Sequence, residues 1–109
     1  MEASYGKFLV YAPNLASRRK RLKVVRAAVE KTARRLNLNF EVVAVNGNTP
    51  VYVYYKDGIK EPVPLYCDKD EEQTLEQVCS ALRSMMFVLS FHPKYSTLKK
   101  IRRALMKFS

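Results

Sequence analysis

The sequence predicts a single α/β (α+β) domain with elements in the order β-α-β-β-β-α-α, one mixed four-stranded sheet packed with two to three helices. Three observations lead there: an apolar run closed by a proline near the N-terminus, a long stretch of helical apolar periodicity after it, and three β-rich runs separated by Asn-Gly and Asp-Gly turn signals. A chain of 109 residues, taken as one unit over 1–109, is long enough to bury a core without metals or disulfides. Its 48% hydrophobic content with only three glycines describes an ordered chain, not a low-complexity one.

Each element has its own signature. Lys7 to Pro13, KFLVYAP, is apolar and aromatic and stops at proline, so it reads as a largely buried first strand. Asn14 or Ser17 is placed to cap the helix that follows. From about Leu15 to Leu36, the residues Leu22, Val25, Val29, Ala33 and Leu36 recur every three or four positions and draw one buried stripe.

NFEVVAVNGN, TPVYVYYKDG and IKEPVPLYC then read as three strands in series. Pro62 and Pro64 remove amide donors at alternate positions of the last, which suits a sheet edge. The link Asn46-Gly47-Asn48 fits a plain hairpin or a crossing to the far side of the first strand. From Asp70 onward Leu75, Val78, Leu82, Met85, Met86 and Leu89 mark a second amphipathic helix. The acidic start of that helix suits the backbone dipole, and it should stop before Pro93. A short third helix from about Ser96 sets Leu98, Ile101, Leu105 and Phe108 on one side and cations around the rest.

The net charge of +10 is unevenly spread. Residues 1–35 carry ten basic and two acidic side chains, residues 36–82 three and eight, and residues 83–109 seven and none. Five of the six residues after Ser17 are basic, at a helix N-terminus where the dipole disfavours cations. Like charges one turn apart also repel by a few tenths of a kcal/mol per pair, so interspersed glutamate would serve a merely solvated helix better. Such density favours a polyanion partner.

Arg18, Arg19, Lys20, Arg21, Lys23 and Arg26, with a second cluster at Lys99, Lys100, Arg102 and Arg103, are therefore the candidate phosphate contacts. If both clusters share one surface, they form a continuous track. Tyr52 and Tyr54 alternate with Val51, Val53 and Tyr55, and they become base-stacking candidates if the helices cover only one sheet face. The expected partner is RNA or DNA, held with low sequence specificity because no base-reading motif is present. A second copy of the chain or an acidic protein is the alternative partner.

No reaction is announced, and the expectation is of a protein that is not an enzyme. There is no Gly-rich phosphate loop, GxSxG turn or HExxH motif, and no cofactor is implied. His92, beside Pro93, reads as a capping or surface residue, and Glu30 as an i,i+4 partner of Arg26 or Arg34. Cys67 and Cys79 lack the spacing of a zinc site or a redox pair and read as reduced thiols. With no basic-then-apolar leader and no bilayer-length apolar run, a cytosolic location without membrane contact is expected.

FLVYAPN, TPVYVYYKDG and DKDEEQTLEQVCSAL resemble members of the thioredoxin-like family, whose first strand leads into a dithiol motif and whose later cis-proline opens a strand and hairpin. Laid on that motif, the thiol positions become Leu15 and Arg18, so the resemblance implies a redox-inactive interaction module. The family's second helix has no counterpart here. The resemblance implies a cis Thr49-Pro50 bond and helices on both sheet faces. Residues 22–90 are also similar in element order to double-stranded-RNA-binding domains, but Asp70, Glu71 and Glu72 stand where that family's last helix begins with cations.

Overall fold

The computed structural model describes residues 6–58, 60–69 and 73–107, without the side chains of Ser96, Thr97 and Lys107. Four strands, β1 (Lys7–Pro13), β2 (Asn39–Val45), β3 (Tyr52–Lys56) and β4 (Val63–Cys67), form one mixed sheet in the order β2-β1-β3-β4. Helices α1 (Arg19–Leu36), α2 (Leu75–Leu89) and α3 (Arg102–Lys107) complete the α+β fold, with 3-10 turns at Ala16–Arg18 and Pro93–Ile101. This is the order expected from the sequence.

β1 lies in the middle, parallel to β2 and antiparallel to β3, while β3 and β4 pair as an antiparallel hairpin. The link of residues 46–51, opening with Asn46-Gly47-Asn48, therefore carries the chain past β1 to its far side; the plain hairpin does not form. Gly47, at φ +112°, makes this short crossing feasible because a side chain there would be strained. Pro62 and Pro64 do fall at the β4 edge, where the register is interrupted between Val53 and Tyr54.

Alternation along the strands sends Phe8 and Val10 of β1, Val53 and Tyr55 of β3 and Leu65 of β4 into a single core. The buried stripes of all three helices enter that same core: Val25, Ala28 and Val29 of α1, Val78, Leu82 and Met86 of α2, and Leu105 of α3. Tyr95, Leu98 and Ile101 close it from the 3-10 segment. The helices thus share one face of the sheet, and the other carries Tyr11, Tyr52 and Tyr54. Met85, expected in the stripe of α2, is 37% exposed, because it falls just outside the arc that Val78, Leu82, Met86 and Leu89 define.

The helix ends depart from expectation in an informative way. Neither Asn14 nor Ser17 caps α1; the chain enters through the 3-10 turn with no side-chain cap and no acid in the first turn. Its far end is closed by Asn37 at φ 58°, with Leu38 N–H bonded to Ala33 O at 2.8 Å and Asn37 N–H to Arg34 O at 3.3 Å, a Schellman arrangement. α2 begins at a reciprocal capping box between Thr74 and Gln77, whereas the acidic residues 70–72 expected at its start lie outside the described residues, as does Phe108. The expected third helix is split: a 3-10 segment first, then one and a half turns of α3.

Candidate nucleic-acid interface

The structure divides the basic run at the start of α1 into two classes. Arg21 is built into the fold: its Nε and Nη2 each reach an Asp68 carboxylate oxygen at 2.8 Å, and Nη1 donates to Gln73 O at 2.9 Å. Tyr66 Oη donates to Asp68 Oδ1 at 2.6 Å, so the carboxylate accepts from both sides. Burial alone would raise the Asp68 carboxyl, but the hydrogen bonds from Arg21 and Tyr66 and the nearby guanidinium charges hold it below its ordinary value. The Asp68 hydrogen bond correspondingly raises Arg21, and burial pushes the Tyr66 hydroxyl upward. Arg18 donates from Nε to Thr49 O at 3.1 Å and is half-buried.

Arg19, Lys20, Lys23 and Arg26 are exposed, and none forms an ion pair with another described residue. Lys31, Arg34 and Arg35 continue the exposed cations to the end of the helix, with Arg34 paired to Glu30 at 2.9 Å. From Arg19 to Arg35 this ridge is about 24 Å long at 1.5 Å per residue, most of a molecule whose longest axis is 38 Å. Arg21, expected among the phosphate contacts, faces inward instead. Two residues on from the exposed Arg19, about 200° of helix rotation puts it on the core side, where Asp68 neutralises it.

The C-terminal cluster divides the same way. Lys99, Lys100 and Arg103 are exposed. Arg102 is occupied: Nε donates to Ser90 Oγ at 3.1 Å, Nη2 to Ser90 O at 2.6 Å, and its guanidinium lies 3.8 Å from the centre of the Phe91 ring. This cluster does not adjoin the first one. Tyr95 packs on Tyr55, which pairs with Phe8 at the start of β1, whereas Arg18 reaches Thr49 beyond its end. The two clusters therefore occupy opposite ends of the sheet, and the outer face of α1 is what lies between them.

Tyr52 and Tyr54 stand half-buried on the sheet face that the helices leave open. Tyr11, opposite Tyr52 in the register, joins them: its ring meets Tyr54 at 5.1 Å between centroids and 89°, and Tyr52 meets Tyr54 at 6.4 Å and 67°. The neighbouring Cys67 raises the Tyr52 hydroxyl above its ordinary value. The three rings floor a cleft of about 440 Å³, bounded by Val45, Asn46 and Thr49 at one end and by Glu61 and Pro62 at the other. Tyr11, Asn46, Thr49 and Glu61 were not among the residues expected from the sequence. The parity of β1 places Tyr11 on this face, but only the order β2-β1-β3-β4 brings it beside Tyr54.

His92 accepts a hydrogen bond at Nδ1 from Lys94 N–H at 3.1 Å and so caps the 3-10 segment. Cys67 and Cys79 are free thiols, and no group of three metal-ligating side chains gathers among the described residues. No described helix is long and apolar enough to cross a membrane. Among the described residues every peptide bond, Thr49–Pro50 included, is trans, and no helix lies on the tyrosine face. Comparison with known family models, curated proteins and solved structures found no match to this chain.

Proposed function

We propose that this domain is a non-enzymatic nucleic-acid-binding protein that grips the phosphate backbone through the outer face of α1. The observation that carries the reading is the row of exposed cations along that helix, of which Arg19, Lys20, Lys23 and Arg26 have no carboxylate partner among the described residues. A helix whose first turn holds no acid and whose exposed positions repel one another gives up stability unless an external anion compensates. A phosphate chain supplies regularly spaced charge along such a ridge and releases counterions when it docks.

Lys99, Lys100 and Arg103 extend the positive field beyond the far end of α1. Arg21 and Arg102 contribute charge but hold the fold. Contacts of this kind position a polynucleotide without reading its sequence, so the ridge by itself gives low specificity.

The test replaces Arg19, Lys20, Lys23 and Arg26 with glutamine and follows binding to RNA, DNA and heparin across a salt series. At about 0.7 per phosphate contact on a single strand, loss of four contacts should reduce the slope of log affinity against log salt by about 3. A slope unchanged by the four substitutions removes this face from the interface. Heparin held as tightly as either polynucleotide would reduce the reading to general polyanion attraction.

A further inference from the structure

We infer that the tyrosine-floored cleft is a site for one unpaired nucleobase carrying an exocyclic amino group, so that the polynucleotide held along α1 is single-stranded. This rests on the function proposed above and adds to it a ligand class and a second contact surface.

The floor is aromatic and the ends are polar. Tyr11, Tyr52 and Tyr54 offer ring surface in a cleft of about 440 Å³, within the size range of small-molecule sites. Their edge-to-face arrangement, 89° between Tyr11 and Tyr54, leaves ring surface unstacked by a neighbouring tyrosine, which is where a planar guest gains. An aliphatic guest would leave Asn46 and Glu61 at the two ends without use. A base presents π-faces to the tyrosines and hydrogen-bonding edges to the ends.

The polar groups say more about which base. A carboxylate offers acceptor oxygens only, so Glu61 favours the amino groups of adenine, cytosine or guanine and opposes the carbonyl edges of uracil and thymine. Its charge also keeps phosphate out of the cleft at that end. At the opposite end Asn46, exposed and lining the cleft, carries an amide that offers both a donor and an acceptor to the other edge of a base.

Position joins the cleft to the ridge. Thr49, at the cleft wall, is the residue whose carbonyl Arg18 holds at 3.1 Å, so the rim adjoins the start of α1 where Arg19 and Lys20 are exposed. A strand with one base in the cleft places its flanking phosphates toward those cations. The charge at the helix N-terminus then has a geometric purpose: it meets the backbone as it leaves the cleft. A duplex, whose bases are stacked inside, offers no base to the tyrosines.

The experiment measures binding of fluorescently labelled ten-nucleotide oligo(A), oligo(C) and oligo(U), and of a duplex of equal length, to the native chain, Tyr54→Val and Glu61→Gln. The chain has seven tyrosines and no tryptophan, so quenching of intrinsic fluorescence by a stacked base gives a second readout in the unsubstituted protein. Expected are preference for single strands, oligo(A) and oligo(C) bound more tightly than oligo(U), and tyrosine quenching by oligo(A). Tyr54→Val should lower single-strand affinity roughly tenfold, the stacking contribution of one base, with the salt slope unchanged. Glu61→Gln, a change at an exposed side chain, should narrow the gap between oligo(A) and oligo(U). Duplex bound as tightly as single strand, with no quenching and no effect of Tyr54→Val, overturns the base site while leaving the ridge intact. Absence of salt-dependent binding to any oligonucleotide overturns the ridge and the base site together.

Discussion

Replacing Arg21 with glutamine should melt the fold far more than it weakens any ligand. The Arg21 and Asp68 side chains are 11% and 1% exposed, joined by two hydrogen bonds of 2.8 Å, with Tyr66 and the Gln73 carbonyl completing the network. Removing one member of such a pair leaves an uncompensated buried charge and costs about 3 to 5 kcal/mol. A domain of this size loses roughly 4 °C in Tm per kcal/mol, so a fall of about 12 to 20 °C is expected for Arg21→Gln or Asp68→Asn. Removing both charges at once, as Arg21→Met with Asp68→Leu, should recover most of the loss, because no ion is then left unpaired.

Thermal unfolding followed by circular dichroism at pH 7 provides the measurement. Arg19→Gln is the control: exposed and unpaired with any described residue, it should stay within about 0.5 kcal/mol of the native chain. If Arg21→Gln melts within about 4 °C of native, or if the double variant is no more stable than either single one, the network does not hold the fold as described. A nucleic-acid binding assay that included Arg21 among its substitutions would confuse unfolding with loss of contact.

The same network shapes the acid limb of stability. Because the folded Asp68 carboxyl sits below its ordinary value of 3.8, its contribution is fully present above that value and is lost as pH falls further, so Tm should decline from about pH 4 downward and less so in the Met–Leu double variant. Burial raises the Tyr55 and Tyr66 hydroxyls, and that contribution is complete below their ordinary value of 10.0 and lost as pH rises past it, giving an alkaline decline as well. Gly6→Ala tests the start of β1: at φ +131° a Cβ would lie 2.6 Å from Lys56 O and 2.7 Å from Tyr55 Oη. A loss of roughly 1 to 3 kcal/mol is expected in urea unfolding, the usual scale of backbone strain at a non-glycine residue, and a change below about 0.5 kcal/mol would contradict the close approach.

The periodicities that marked the elements are local, and most of their positions are buried, with Leu22 and Leu75 half-buried and Met85 exposed. Val25, Val29, Ala33 and Leu36 are buried as their spacing required, and so are Val78, Leu82, Met86 and Leu89. Pro62 and Pro64 marked an edge because a missing N–H has the same meaning in any fold. The capping of α1 was misjudged because the propensity of Asn14 or Ser17 says nothing about whether the chain approaches straight or through a 3-10 turn. The Asn46–Asn48 link left two topologies open, since a short link fits either one; in the fold residues 46–51 make the crossing, and the choice depends on how β3 packs against β1.

The candidate site shows the same division. Charge density along residues 18–35 is written in the chain, but which cations remain free for a ligand is not. Arg21 and Asp68 are 47 residues apart, and Arg102 finds Ser90 and Phe91 on another helix end. Tyr52 and Tyr54 alternate visibly, yet their standing on an open face follows from all three helices entering one core.

By itself the sequence determined the order of elements, most of the buried stripes of α1 and α2 and the concentration of cations at both ends, because these depend on residues a few positions apart. The tertiary structure decided that the two basic clusters lie at opposite ends of the sheet, that Arg21 and Arg102 are committed to the fold, and that Tyr11 completes an aromatic cleft. Those outcomes depend on which distant segments the shared hydrophobic core draws together, and pairings across tens of residues leave no local pattern to read.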